Sequence, residues 1–224
     1  MSLMRPALRL GASGALAVLV SACSMLLPAR ALDVYRLPQP QRAEYSLTVA
    51  PSQQEAPRHS NIDAPAKAPV LLRIRTEAPS SVLAGERIIV MPTADTVEAY
   101  RGARWSDPAP VMVCARLIDA FANDGRFIAL AGDDDTLDVT FELDTQLRAF
   151  QAEYRGGRPV VHMEIDARLI DSGTHNVIAT HRFVVETLPA AADVGAVVQS
   201  FGAATDALSA QLVTWLAGVA LPHG

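Results

Sequence analysis

Residues 137–149 read LDVTFELDTQLRA and residues 161–169 read VHMEIDARL, two stretches in which apolar and polar side chains alternate. Alternation with a period of two places one set of side chains on each face of a strand. The apolar set consists of Leu137, Val139, Phe141, Leu143, Leu147, Ala149, Met163, Ile165 and Ala167. Because most of the other positions are charged, we predict a sheet with one buried face and one face that is wet or contacts a partner.

Further strands are predicted on either side of these two. The turn residues Asp171-Ser172-Gly173-Thr174 lead into a third long strand over 176–187, which makes a hairpin. Shorter strands are predicted over 70–74, 87–91 and 127–130, with two more strand-like islands at 34–37 and 45–49.

Two amphipathic helices complete the predicted fold. The first begins at Asp107-Pro108-Ala109-Pro110, with Asp107 as its cap, and ends at Asn123-Asp124-Gly125. It fits a crossover between parallel strands at 87–91 and 127–130. The second follows the helical period over 194–219. We predict a mixed α/β (α+β) fold, in which both helices cover one face of a mixed, largely antiparallel sheet of five to six strands.

The first 22 residues have the composition of an export signal. Arg5 and Arg9 precede an apolar and small-residue stretch from Leu10 to Val20, which is too short to span a bilayer. The stretch ends in Val20-Ser21-Ala22-Cys23, which resembles the lipobox of bacterial lipoproteins. We therefore predict that residues 1–22 are removed and that Cys23 carries a covalent lipid, with no other cofactor. An ordinary secretory signal with an incidental cysteine is the alternative.

The mature chain divides into two parts by composition. Residues 23–69 are predicted to be a lipidated amino terminus and a Pro/Ala-rich tether with short strands, in which 50–69 is a tether or mobile loop. Residues 70–224 have the size of a single domain. Loss of residues 1–22 removes two arginines and no acid, so the formal charge moves by two units from −5 to −7. This acidic balance argues against a nucleic-acid partner.

No group of residues predicts catalysis or a metal site. Asp133-Asp134-Asp135 lacks the spaced ligands of a Ca²⁺ loop. A site built from His162, His175 and His181 with Glu164 or Asp166 is disfavoured, because strand parity puts His162 and His181 on opposite faces. Cys114 lies among apolar residues at helical spacing and is predicted to be buried. We expect a protein that is not an enzyme.

One run of aromatic and basic residues is a candidate for partner binding. Tyr100, Arg101, Arg104 and Trp105 lie in a predicted loop, where the arginines would meet a lipid phosphate or an acidic partner. The alternative is that the tryptophan folds onto the domain and the arginines are solvated.

The pattern as a whole resembles the ABC-type transport auxiliary lipoproteins, whose best-known members are the paraquat-inducible C-type lipoproteins. The resemblance is carried by the lipobox at Cys23, Tyr45-Ser46-Leu47, Leu72-Arg73-Ile74, Ala84-Gly85-Glu86-Arg87-Ile88, Tyr100-Arg101-Gly102-Ala103-Arg104-Trp105-Ser106-Asp107-Pro108 and Gly125-Arg126-Phe127. It spans nearly all of the mature chain, apart from the Pro/Ala-rich insertion before Val70.

The resemblance implies a non-catalytic accessory of an envelope lipid-transport system. The implied partners are a periplasmic MCE-domain protein with its inner-membrane permease and ATPase, and a homo-oligomer around an MCE channel is compatible with the family. Ser24, which stands where an aspartate would retain a lipoprotein in the inner membrane, favours the periplasmic side of the outer membrane. The alternative function is a structural or assembly lipoprotein of the outer membrane.

Overall fold

A computed structural model describes residues 31–39, 70–131 and 138–219 of the chain. Its elements, numbered in chain order, are β1 (Asp33–Tyr35), β2 (Val70–Glu77), β3 (Arg87–Thr93), β4 (Thr96–Trp105), α1 (Ala109–Asp124), β5 (Phe127–Ala131), β6 (Phe141–Arg155), β7 (Arg158–Asp171), β8 (Val177–Thr187) and α2 (Val194–Gly218).

Strand β6 organises the sheet, because its two edges are used differently. Along one edge it pairs antiparallel with β7, which in turn pairs antiparallel with β8. The other edge is shared: β2 runs parallel to 141–146, and β3 runs parallel to 151–153. β5 extends the sheet beyond β2, while β4 and then β1 extend it beyond β3. The sheet therefore forks into two limbs on one side of β6.

A β-bulge in β6 lies between the two limbs. Leu147 pairs with Ile165, but Ala149 pairs with Glu164, so Arg148 has no partner across the ladder. One extra residue reverses which side chains face the core. Ala149 is buried but lies opposite Glu164 of the outward face and outside the core cluster, whereas Phe150 belongs to that cluster, so the predicted alternation ends at the bulge.

The long strands end in turns that their residues explain. β6 continues past the predicted end at Ala149 to Arg155, and Gly156 and Gly157 then connect it to β7 with φ values of 59° and 77°. Two successive positive φ values are typical of a type I′ hairpin turn. In the predicted turn before β8, the Thr174 N–H donates to Asp171 Oδ1 at 2.7 Å.

Both helices pack on the same face of the sheet, as predicted. Val113, Leu117 and Phe121 of α1 and Phe201, Leu208 and Leu212 of α2 share one hydrophobic cluster with the inward residues of the sheet. Helix α1 ends at Gly125, whose φ is 76°. The predicted cap by Asp107 is wrong: Pro108 precedes the helix, and the Asp107 carboxylate accepts a hydrogen bond from the Ser106 hydroxyl instead.

The mixed α+β class is confirmed, with eight strands instead of five to six. Among the described strands, four of the seven pairings are parallel, although the two longest ladders are antiparallel. β4 was predicted as a loop, and β1 corresponds to the strand-like island predicted at 34–37. The predicted crossover of α1 between neighbouring parallel strands at 87–91 and 127–130 is wrong. β4 lies between β3 and α1 in the chain, and β3 pairs with β6 while β5 pairs with β2.

Gly102 explains how Tyr100 and Trp105 both pack toward the core. A regular strand would place two residues five positions apart on opposite faces. Here the register between β3 and β4 shifts, with Arg87 opposite Arg104 and Ile89 opposite Ala99. Gly102 lies inside the irregular stretch with a φ of 73°, a conformation that other residues rarely adopt.

Replacing Gly102 with alanine is expected to lower the free energy of unfolding by about 1 kcal/mol, because a side chain disfavours this backbone conformation. A Cβ at this position would meet nothing within 4 Å, so no steric term adds to the cost. Gly85→Ala is the matched control, since its Cβ also meets nothing within 4 Å and its φ is not positive. Urea denaturation followed by circular dichroism measures both variants, and equal effects would contradict the bulge argument.

Candidate functional site

The structure separates the four predicted partner-binding residues into two groups. Trp105 is fully buried, with its ring centroid 5.7 Å from that of Phe150 and 5.3 Å from that of Phe201. Tyr100 packs partly buried against the same core, and burial together with neighbouring Tyr154 raises its pKa. The structure agrees with the alternative interpretation, in which Trp105 folds onto the domain. A partner at the surface would therefore meet Arg101 and Arg104, and their binding role stays a prediction.

The amino-terminal residues 33–38 pack against the domain next to Trp105. β1 runs parallel to the end of β4, with Val34 opposite Arg104 and Tyr35 opposite Trp105. The Ser106 N–H donates to the Tyr35 carbonyl oxygen at 2.7 Å. Leu37 is buried in the core cluster. The compact unit accordingly includes β1 and begins at Leu32.

Arg116 joins this segment to both helices. Its side chain, on α1, is only 6% exposed and donates to Asp206 Oδ1 on α2 and to the Pro38 carbonyl oxygen. A buried guanidinium is costly to desolvate unless such partners satisfy it. Gly202 of α2 allows the close approach, because a Cβ there would lie 3.0 Å from Pro38 Cβ. Residues 36–38 are thus held between α1 and α2.

This arrangement changes the role of the long Pro/Ala-rich stretch. Residues 39 and 70 both belong to the compact unit that starts at Leu32, so residues 40–69 connect two points of one folded unit. In the sequence, residues 24–31 separate Cys23 from Leu32. Residues 1–30, which include the predicted signal and Cys23, and the predicted strand at 45–49 lie outside the described residues.

The outward face of β6, β7 and β8, with the adjoining β2, is covered by ion pairs. Six arginines pair there with six carboxylates: Arg73, Arg75, Arg148, Arg155, Arg168 and Arg182 with Glu142, Asp144, Glu153, Glu164, Asp166 and Glu186. Opposite charges on facing strands stabilise a solvated sheet face modestly. This face is therefore charged but balanced.

Glu186 is the centre of a group of three side chains on this face. It accepts two hydrogen bonds from Arg155, at 2.7 and 2.9 Å, and lies 2.9 Å from His162 Nδ1. Hydrogen bonds from Arg155 and then from His162 lower the pKa of Glu186 to about 2. Because these partners favour the ionised carboxylate, Glu186 is a structural charge in this arrangement.

The histidines do not converge on a metal. His162 points outward toward Glu186, whereas His181 stacks on Trp215 on the core side, so they lie on opposite faces as predicted. Within the described ranges, no three His, Cys, Asp or Glu side chains are placed to share an ion. Asp133-Asp134-Asp135 lies outside those ranges. Cys114 is partly buried, its Sγ lies 3.6 Å from the Ile74 carbonyl oxygen, and burial raises the pKa of its thiol.

Glu186 makes the stability of the domain depend on pH. Its folded-state pKa is about 2, and an unfolded glutamate titrates near 4.3, so its contribution is present above about pH 4.5 and is lost as the pH falls toward 2. We expect Glu186→Gln to flatten the fall of unfolding free energy across this window, as measured by denaturant titrations at several pH values. Exposed Glu98→Gln is the control, and an unchanged slope for Glu186→Gln would contradict the assignment.

Among the helices that the structure describes, none has both the length and the apolar content needed to cross a bilayer.

Comparisons with known proteins agree with the fold. A family model described as the ABC-type transport auxiliary lipoprotein component matches residues 45–213. A structure of protein XCC0632 from Xanthomonas campestris is similar with a TM-score of 0.60 and 27% identity, covering 66% of this chain and 83% of that one. A structure of an uncharacterized protein has a TM-score of 0.60 at 12% identity, covering 83% and 99%, and shows the fold alone.

The comparison with curated proteins finds no match. The family match nevertheless extends over most of the chain, from before β2 into α2. Its extent and the similar structure from Xanthomonas campestris point to the same assignment. The chain belongs to the family of ABC-type transport auxiliary lipoprotein components.

Proposed function

We propose that this protein is an outer-membrane lipoprotein, anchored on the periplasmic side through Cys23, that serves as a non-catalytic accessory of an ABC/MCE-type lipid-transport system. Family membership supports the coarser part of this proposal, a membrane-anchored auxiliary component of an ABC-type transporter. The outer membrane, the MCE system and the lipid cargo are inferences from the resemblance and from Ser24.

The docked amino-terminal segment is the observation that carries the proposal. Arg116 and Gly202 hold Pro38 between the two helices, and β1 continues the sheet toward residue 32. A lipid on Cys23 would therefore be coupled to a rigid part of the domain through residues 24–31 alone. Such a short link suits a module that must present a defined surface close to its membrane.

A docking role also agrees with how the charged side chains are used. On the outward sheet face, the arginines are engaged with carboxylates, and Glu186 and Asp166 have lowered pKa values because arginines donate to them. A general acid or base that works near neutral pH needs a pKa near 7, and these pairs move the carboxylates in the opposite direction. We therefore propose that this face serves as a protein contact surface.

The proposed partners are an MCE-domain periplasmic protein and its inner-membrane permease and ATPase. Lipids that cross the periplasm need a shielded path. A module anchored at the outer membrane can receive those lipids or position the end of that path. The net charge of −5 favours protein and lipid partners over nucleic acid. A homo-oligomer around an MCE channel is part of the proposal.

Affinity capture from gently solubilised envelopes, with mass spectrometry of proteins and lipids, tests this function. We expect the wild-type protein to recover the MCE protein with its permease and ATPase. Cys23→Ala should leave the membrane fraction and recover much less of them, because the anchor is lost. Cys114→Ala is the matched cysteine control and should behave as wild type.

Two results would contradict the proposal. Recovery of envelope-assembly factors without the transporter components would favour the structural or assembly lipoprotein instead. Membrane association of Cys23→Ala equal to that of Cys114→Ala would show that the anchor is not at Cys23.

A further inference from the structure

The link from Cys23 to the folded unit is too short to let the domain move far. Eight residues, 24–31, separate Cys23 from Leu32, where the compact unit begins. Since a fully extended chain spans about 3.5 Å per residue, Leu32 stays within about 30 Å of Cys23. In a chain lipidated at Cys23, the surface around β1 therefore remains within reach of the bilayer.

That surface combines exposed apolar side chains with arginines. Val34 of β1 lies opposite Arg104 of β4, which lies opposite Arg87 of β3, so the three form one row on the outward face. Leu32 and Arg36 flank β1 and are exposed, and Leu32 and Val34 are each 52% exposed. We call these five residues the amino-terminal patch.

The patch differs in charge from the rest of the outward face. On β6, β7 and β8 the described arginines other than Arg158 pair with carboxylates. In the patch, Glu86 pairs with Arg104, while within the described ranges Arg36 and Arg87 have no ion-pair partner. Counting Glu86, the three arginines leave the patch cationic in a chain whose formal charge is −5, although Arg36 also borders a groove that Asp107 and Asp119 line. Arginines beside exposed aliphatic side chains suit an anionic membrane surface.

We propose that the amino-terminal patch binds the anionic phospholipid surface into which Cys23 is anchored, with Leu32 and Val34 at the interface and Arg36 and Arg87 against lipid phosphates. This inference rests on the proposed lipidation of Cys23. The covalent anchor makes the contact intramolecular, so a weak patch suffices to hold it. The contact fixes the orientation of the domain, and the ion-paired strands β6, β7 and β8 stay available to protein partners.

Fluorescence quenching on vesicles tests this orientation with the full lipidated chain. In a Cys114→Ala background, an environment-sensitive label is attached to Val34→Cys or, as the control, to Val177→Cys on β8. Val177 is 54% exposed and lies on the edge strand beyond β7. The vesicles contain phosphatidylethanolamine, phosphatidylglycerol and a lipid with a shallow nitroxide. We expect quenching at position 34 and none at position 177, and weaker quenching when phosphatidylcholine replaces both phospholipids.

Charge reversal separates the patch from a general effect of net charge. Arg87→Glu should lower the ratio of docked to undocked protein by roughly fivefold or more. Each arginine near an anionic surface contributes about that factor to the docking equilibrium. Arg158→Glu makes the same change of charge at an exposed position of the β6–β7 hairpin and should leave quenching unchanged.

Flotation of the vesicles distinguishes a failure of the patch contact from a failure of the anchor at Cys23. If the protein floats but both labels are quenched alike, or neither is quenched, the patch does not bind the membrane, although the anchor at Cys23 stands. Equal effects of Arg87→Glu and Arg158→Glu would also overturn the proposal. If the protein does not float, the anchor itself is wrong, and the membrane contact falls with it.

Discussion

The buried guanidinium of Arg116 connects the parts of this protein that matter for its function. It reaches Asp206 on the second helix and the backbone of Pro38 on the amino-terminal segment from its own position on the first helix. Removing either partner would leave a desolvated charge, so the three elements are stabilised together. The rest of the arrangement depends on this contact, because it makes residues 33–38 a part of the domain and not a free extension of it.

Once that segment is docked, the chain has a different plan from the one its composition suggests. The Pro/Ala-rich residues 40–69 begin and end on the folded unit, and residues 24–31 alone lead to Cys23. In the proposed membrane contact, β1 lies at the bilayer, and β6, β7 and β8 stay available to protein partners. The distribution of charge follows this division, with a cationic patch around β1 and balanced ion pairs across β6, β7 and β8.

The long elements were predictable because each repeats one physical pattern many times. β7 alternates from Val161 to Leu169, and α2 keeps an apolar stripe through 25 residues behind the cap that Asp193 makes with the Ala196 N–H. What escaped prediction is local and irregular. The bulge at Arg148 reverses the alternation, and the positive φ of Gly102 turns Tyr100 and Trp105 to one side of a strand that was predicted as a loop. Gly156-Gly157 did carry a turn signal that the prediction did not use. The partners of Arg116 come from three distant parts of the chain, and no single-sequence pattern brings them together.

Hydrogen–deuterium exchange of the full chain tests most directly whether Arg116 holds the amino-terminal segment in the domain. The account predicts slow exchange for the amides of Tyr35 and Ser106 in the wild type, because both face the β1–β4 ladder. It also predicts fast exchange of the same two amides in Arg116→Met, while those of β6 and β7 stay protected in both. Exchange of the Tyr35 amide at the rate of a free peptide in the wild type would contradict the account, and so would equal protection in wild type and variant.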